Sequence, residues 1–524
     1  MITLSCRING GDFDAAGLAT RKLKDHLARL GVDGAALRRA MIAAYEAEMN
    51  VVIHARTGTL WARVDETRLD LEVTDEGPGI PDVELAMKEG WSTASEQARQ
   101  MGFGAGLGLP NIRHNSDRFQ IETRVGRGTR VRSTILFGNA PAVPTERAEP
   151  EQAGFALLVE QKRCRGCRRC IFACPVGALR VRDCRPVVSE QLCIGCAACI
   201  EECPDNMFGI RDTGVGLAKL SEGALLLASR GLFSAFPGEQ SPSRALAAAH
   251  DLGFTDVRLL EDWDDPLRAE ARREVDQGNL PLPRIPPLCP PVVSLIESRF
   301  PSLIRNISPM LSPAETACEE FPLRSVVLVA ACPGQYEQCA RSSLTDRLRV
   351  ASATTLKTAM FPRFKAKSVG LEPATVITGN AGPGEGELSA SGARGVIRAL
   401  SLAETGALGG VALLELHLCL GGCSASPLLA SLPGAVGPAW TVERNGEPAG
   451  VAARARPFQQ RSGMRLDPDM TEAMRKLSLI DSETKSLPGR DCGSCGSPSC
   501  ALFAEDVVMG RAARSDCPFL EKKT

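Results

Sequence analysis

The sequence predicts a multidomain chain of α/β and α+β character, and three observations predict it. Its 524 residues are enough for several separate cores. A cysteine run occurs twice between Cys164 and Cys203. Segments of period-two alternation and of helical spacing interleave on both sides of that run. Composition narrows the function classes. A net charge of −1 gives no global pull toward nucleic acid or an anionic membrane surface. Aromatic residues, at 4%, are too few for base-stacking platforms. The 20 cysteines gather in C-x-x-C runs instead of scattering as a secreted disulfide framework would, which indicates a reducing compartment. The opening MITLSCRINGGDFD has no basic region followed by a long apolar run, and Val326–Ala331 is too short to span a bilayer. The expectation is a cytoplasmic protein with no membrane span and no nucleic-acid partner.

Residues 1–138 read as a nucleotide-binding domain. Residues 35–56 form a predicted helix, with Leu37, Met41, Ala44 and Tyr45 at helical spacing. Glu46 and Asn50, four apart, share one of its faces. Residues 69–75 alternate, with Leu69, Leu71 and Val73 on one side, and run into Asp75-Glu-Gly77-Pro-Gly79. A second glycine set follows at Gly102, Gly104, Gly106 and Gly108, then a strand over 130–137 after Gly126-Arg-Gly128-Thr129. Each signal alone is weak, since glycine loops often only turn and a helical Glu/Asn pair is commonly a solvated face. Their order resembles the GHKL ATPase superfamily, with the anti-sigma-factor serine kinases as the nearest subgroup. The resemblance implies a Bergerat-type ATPase α/β sandwich that binds ATP with Mg²⁺. It implies Asn50 as the Mg²⁺ ligand, Glu46 as the catalytic carboxylate, and Asp75 as acceptor of the adenine amino group. Gly77 and Gly79 would let backbone approach the base. Gly102, Gly104, Gly106 and Gly108 would cradle phosphates through their N–H groups. It also implies ATP-dependent serine kinase or ATPase activity, and a regulatory protein as phosphorylation target. His54 reads as structural or partner-facing. A helix within 13–32 would contain only His26, so nucleotide binding is expected here and histidine phosphotransfer is not. Residues 139–154 are rich in Pro, Ala and Glu and read as a linker.

Residues 155–212 carry Cys164-x-x-Cys167-x-x-Cys170-x-x-x-Cys174-Pro and Cys193-x-x-Cys196-x-x-Cys199-x-x-x-Cys203-Pro. Three thiolates of each run converge on one [4Fe-4S] cube and the fourth crosses to the other cube. That places Cys164, Cys167, Cys170 and Cys203 on one cluster and Cys193, Cys196, Cys199 and Cys174 on the second. A disulfide framework or a zinc site fits the doubled spacing and trailing prolines less well. The stretch resembles the two-cluster ferredoxins of bacteria, with their bacterial ferredoxin fold.

Residues 213–430 alternate short apolar runs with helical stretches, at Ala224–Ala228, Ser243–Leu252 and Pro266–Asp276. Isolated cysteines follow at Cys289, Cys332, Cys419 and Cys423. Their order and the flanking runs through Pro301, Asn306-Ile-Ser-Pro and Ser312-Pro313 resemble the α/β catalytic domain of [FeFe] hydrogenases, the iron-only hydrogenase large-subunit domain. That resemblance implies a third [4Fe-4S] cluster on these four thiolates. The chain departs from the family twice: Leu288 stands where a proton-relaying cysteine is expected, and Gln335 where a lysine would contact the di-iron ligands. Both departures argue against a di-iron subsite and against H₂ turnover. Inert buried thiols are the bland alternative for this set, and buried packing is the reading for Cys6, Cys184, Cys318 and Cys339.

Residues 431–485 read as a connector with some strands, followed by a solvated helix over 468–486. Residues 486–524 hold Cys492, Cys495, Cys500 and Cys517 in the spacing C-x2-C-x4-C-x16-C, with a helix over 501–508. Zinc is the rival metal. The stretch resembles short [4Fe-4S] domains of redox-complex subunits and corrinoid proteins, which implies a fourth cluster. The sum is a redox sensor or electron-transfer protein with four [4Fe-4S] clusters and an ATP site. Its expected partners are a redox protein or hydrogenase-complex subunits. The alternatives are an active [FeFe] hydrogenase with an unusual proton path, and an electron-transfer subunit of a larger complex.

Overall fold

The computed structural model describes residues 1–94, 106–138, 156–160, 164–211, 221–234, 241–278, 280–344, 346–366, 386–429 and 450–520. Gly102, Gly104 and the 139–154 stretch lie outside them.

Alternation and helical spacing build the first module. Strands β1 (Ile2–Asn9), β2 (Thr57–Val64), β3 (Arg68–Asp75), β4 (Arg118–Arg124) and β5 (Gly128–Leu136) form an antiparallel sheet ordered β1-β2-β3-β5-β4. Helices α1 (Leu18–Leu30) and α2 (Gly34–His54) cover one face. Helix α2 begins where the Asp33 carboxylate accepts from the Ala35 and Ala36 amides, at 3.0 and 2.9 Å. Its Leu37, Met41 and Ala44 are buried with Leu69, Leu71 and Val73 of β3. A short helix α3 (Gly108–His114) closes the layer against α2.

The second module is a pseudo-symmetric pair. Strand β6 (Leu157–Val159) pairs with β9 (Phe208–Ile210), and β7 (Leu179–Arg182) pairs with β8 (Arg185–Val188) as a hairpin. Helices α4 (Arg169–Ala173) and α5 (Ala198–Glu202) each begin after a left-handed residue, Arg168 and Ala197, both at φ 65°. The same backbone turn thus serves both cysteine runs.

The third module has a parallel sheet ordered β11-β10-β12-β13, from β10 (Leu225–Ala228), β11 (Asp256–Leu259), β12 (Val326–Ala330) and β13 (Leu348–Ser352). Strands β10 and β12 are buried throughout, which is why they read as unbroken apolar runs. Helices α6 (Ser241–Asp251), α7 (Asp264–Gln277), α8 (Pro290–Arg299), α9 (Pro313–Glu320), α10 (Pro333–Ala340) and α11 (Ala353–Ala366) surround it. A separate parallel pair, β14 (Glu387–Ser391) and β15 (Leu413–His417), is linked by α12 (Ala393–Glu404).

Two expectations need correction at the C-terminal end. Helix α13 (Met470–Ser486) is not solvated: Ala473, Met474, Leu477 and Ile480 are buried against α1 and join the core of the first module. The charged residues that suggested a solvated helix lie on its opposite side. Residues 450–465 contain no strand among the described residues, only a single bridge from Ala453 to Met310. Helix α14 (Cys500–Val508) packs on α13 and contributes Phe503 and Ala504 to that same core. Among the described residues no helix is long and apolar enough to cross a membrane.

The modules touch through specific pairs. Arg38 donates to Asn306 Oδ1 at 2.8 Å, and Arg29 pairs with Glu505 at 3.2 Å. Lys24 pairs with the buried Glu404 and lies 3.5 Å from the centre of the Phe300 ring.

Candidate nucleotide pocket and metal centres

Helix α2 and strands β3 and β5 leave a cleft between them. It is a cavity of about 530 Å³ lined by Glu46, Asn50, His54, Asp75, Gly79, Gly108 and Thr129 among others. That is the size of an ordinary small-ligand site. At one end Asp75 Oδ1 accepts from the Gly77 amide at 2.7 Å and the Thr129 amide at 3.2 Å, which fixes the carboxylate. Burial pushes the Asp75 carboxyl up, while these two amides hold it down. Gly79 sits at φ 71° with Arg124 O so close that a Cβ would lie 2.3 Å from it. Only glycine fits that turn.

At the other end Glu46 and Asn50 converge on the start of α3. A Cβ on Gly108 would lie 3.2 Å from Asn50 Oδ1 and 3.4 Å from Glu46 Oε2. Asn111 Nδ2 donates to Glu46 Oε1 at 2.6 Å. Burial raises the Glu46 carboxyl and this donor lowers it. His54 lines the cavity, and burial pushes its imidazole down. Gly106 joins the lining; Gly102 and Gly104 lie outside the described residues. Sequence reasoning missed Asn111 and Thr129. The signal for Thr129 was in view, in the Gly126-Arg-Gly128-Thr129 turn. It also missed Gly406, Ala407 and Gly409, which line the same cavity from the α12–β15 turn of the third module.

The cysteines fall into groups. Cys174, Cys193, Cys196 and Cys199 line one cavity, and Cys492, Cys495, Cys500 and Cys517 line a second. A third is lined by Cys289, Cys332, Cys419 and Cys423, with Gln335, His417 and Cys196 beside them. Cys170 has Cys167, Cys203 and Cys164 as its interacting neighbours, and burial with those neighbours pushes its thiol up to about 11. Burial pushes Cys193, Cys196 and Cys419 up to about 12. Such thiols ionise only when a strong positive partner offsets the loss of water. Among the described residues no group of three or more Cys, His, Asp or Glu is placed to hold a single metal ion. The thiols instead surround volumes.

Amide donors point at the sulfurs. The amides of Gly166, Ala178, Met207 and Gln335 donate to Cys164, Cys174, Cys203 and Cys332 Sγ at 3.4, 3.2, 3.4 and 3.4 Å. Donors of this kind favour the thiolate. Four thiols around a volume, with N–H groups aimed at sulfur, suit a [4Fe-4S] cube. Gln335 also donates from Nε2 to Cys423 Sγ at 3.4 Å, and Leu288 is buried in the apolar core. Cys6, Cys318 and Cys339 are buried, whereas Cys184 is exposed at the tip of the β7–β8 hairpin, against the expectation of a packed thiol. The hairpin tip has no neighbouring layer to cover it.

Residues 36–139 match the model of the histidine kinase-, DNA gyrase B- and HSP90-like ATPases. The first module is an ATPase domain of that type. Residues 156–204 match a 4Fe-4S dicluster domain, and residues 487–519 match an Fe-S cluster domain. The chain is an iron–sulfur protein with an ATP-binding domain of the GHKL kind. Among relatives, the anti-sigma F factor of Caldanaerobacter subterraneus subsp. tengcongensis is 36% identical over 98 residues, covering 18% of this chain and 65% of the relative. The serine/threonine-protein kinase RsbT of Bacillus subtilis is 29% identical over 121 residues, 22% of this chain and 85% of RsbT. The chain thus spans somewhat less than two thirds of the anti-sigma F factor. An [FeFe]-hydrogenase structure from Chlamydomonas reinhardtii aligns with a TM-score of 0.32 and 14% identity, over 41% of this chain and 83% of that one.

Proposed function

We propose that this protein is a redox-responsive iron–sulfur protein in which nucleotide occupancy and the state of the Cys289, Cys332, Cys419 and Cys423 set are linked. The observation that carries this reading is the shared wall. Gly406, Ala407 and Gly409 line the nucleotide cavity. The strand that follows them, β15, ends two residues before Cys419. One short segment therefore borders the nucleotide at one end and supplies two thiols at the other.

In this reading Asp75 receives the adenine amino group, Asn50 ligates Mg²⁺, and Glu46 is the carboxylate beside the phosphates. Gly77, Gly79, Gly106 and Gly108 would give the backbone its close approach, together with Gly102 and Gly104. The four cysteine sets would hold four [4Fe-4S] clusters, which supply one-electron storage. The limits 1–138, 155–212, 213–430 and 486–524 belong to this proposal, with α13 reassigned to the ATPase core that it completes. H₂ turnover is not part of it. Leu288 carries no proton, and the Gln335 amide occupies the Cys423 sulfur. An anti-sigma-kinase-like activity toward a regulatory protein extends the reading and follows the relatives.

The test is nucleotide affinity of the anaerobically loaded protein, oxidised and dithionite-reduced. A shift between the two states supports the link, and equal affinities refute it. Infrared bands of CO and CN ligands after maturation would instead restore the hydrogenase alternative.

A further inference from the structure

Resting on the reading that each cysteine set holds a cube, we propose that Asp506 is a positioning residue. With Arg180 and Arg182 it fixes the Cys492, Cys495, Cys500 and Cys517 set against the ferredoxin module. The ferredoxin pair then stands between this set and the Cys289 set. The spatial order differs from the order in the chain, where the Cys289 set separates the two.

Two contacts define the line. On one side the Gly195 carbonyl, between Cys193 and Cys196, accepts from the Gly334 amide at 3.0 Å, two residues after Cys332. A Cβ on Gly195 would lie 2.4 Å from that amide nitrogen. Cys196 lines the cavities of both sets. On the other side Gly493, between Cys492 and Cys495, rests on Phe172 and Ile171, which directly follow Cys170. A Cβ there would lie 2.6 Å from Phe172 Cζ. The Val181 amide donates to the Gly496 carbonyl at 2.9 Å. Each contact joins the interior of one cysteine loop to the loop or helix of another.

Asp506 makes the second contact rigid. Its carboxylate is 1% exposed. Oδ2 accepts from Arg180 Nε at 2.5 Å, Arg182 Nη2 at 2.8 Å and Ser497 Oγ at 2.8 Å. Arg182 Nη1 also donates to the Cys495 carbonyl at 2.6 Å. The two arginines come from β7 of the ferredoxin module, the serine from the terminal cysteine loop, and the aspartate from α14. No stability argument asks for this arrangement, because a buried ion pair is commonly matched by apolar packing. What it supplies is one fixed distance and orientation between two cysteine loops.

The experiment is EPR of the full chain, loaded anaerobically and reduced with dithionite, in the native form and as Cys492→Ser and Asp506→Asn. The expected native spectrum shows spin–spin broadening of the ferredoxin signals. Cys492→Ser should remove the share of that broadening that comes from the terminal site. Asp506→Asn should keep the native iron content and lose that same share. If Asp506→Asn loses terminal iron, Arg182→Gln replaces it, since Arg180 still pairs with Asp506 there. Ferredoxin signals unchanged by Cys492→Ser overturn the spatial order, and native broadening retained in Asp506→Asn or Arg182→Gln overturns the role of Asp506. A native chain short of iron for four cubes refutes the underlying reading instead, before any variant is compared.

Discussion

Glu404→Ala tests the joint between the ATPase domain and the third module. Glu404 closes α12, one residue before the turn that lines the nucleotide cavity. Its carboxylate is 2% exposed and takes Lys24 Nζ and Ser302 Oγ. Removing it leaves the Lys24 ammonium, itself 13% exposed, without its principal counter-charge. Breaking a buried pair from one side costs about 3–5 kcal/mol. The Phe300 ring under Lys24 offsets up to about 2 kcal/mol of that. The expected net loss is therefore about 2–3 kcal/mol, read from denaturant midpoints of the full anaerobic chain. The sign with pH is fixed by Lys24. Burial holds its pKa below the ordinary 10.5, and Glu404 raises it. In the variant it falls further, so the unfolded chain binds more protons over a wider window below 10.5. Part of the lost stability then returns as pH rises toward 10.5. Nucleotide affinity falls with stability, because the wall of the cavity loosens. Lys24→Met combined with Glu404→Leu should recover most of the stability. A loss below about 1 kcal/mol, the value of a surface pair, refutes the reasoning.

Asp75→Asn should weaken nucleotide binding by about 1.5–3 kcal/mol, roughly tenfold to a hundredfold, in calorimetric titration. Asn111→Ala removes the donor that lowers Glu46, so the Glu46 carboxyl should ionise at higher pH, visible in carboxyl carbon NMR. In that variant the folded chain binds more protons than the unfolded one above the ordinary glutamate value, and stability falls as pH rises through the window. Ile480→Ala should cost about 2–5 kcal/mol in the first module, as a core truncation does, and a near-neutral result would return α13 to solvent.

Local order was legible in the residues; contacts between modules were not. The Cys164–Cys203 spacing and the Asp75 and Gly106–Gly108 turns are short-range patterns, whose chemistry depends on neighbours a few positions away. The period-two runs of β3 and β5 likewise announce their faces. Helix α13 shows the limit. Ala473, Met474, Leu477 and Ile480 form a helical stripe in the sequence, yet nothing local names α1 as the surface that covers it. The Gly406–Gly409 wall is harder still, since a glycine turn looks alike whether it meets water or a nucleotide cavity. Cys184 and Cys318 look equivalent as lone thiols; only the fold exposes one and buries the other.

The clasp of α13 and α14 onto the first module has a consequence for how the chain is made. One hydrophobic core holds residues from Ile2 to Ile135 together with Leu466 to Ala504. During synthesis the ribosome must add about 340 residues between those two contributions, which takes roughly 20 to 70 s. Over that interval the outer side of α1 has no cover of its own from this chain. The last stretch to leave the ribosome seals the first to emerge, so a messenger truncated near its end would spoil the beginning of the protein as well as its tail.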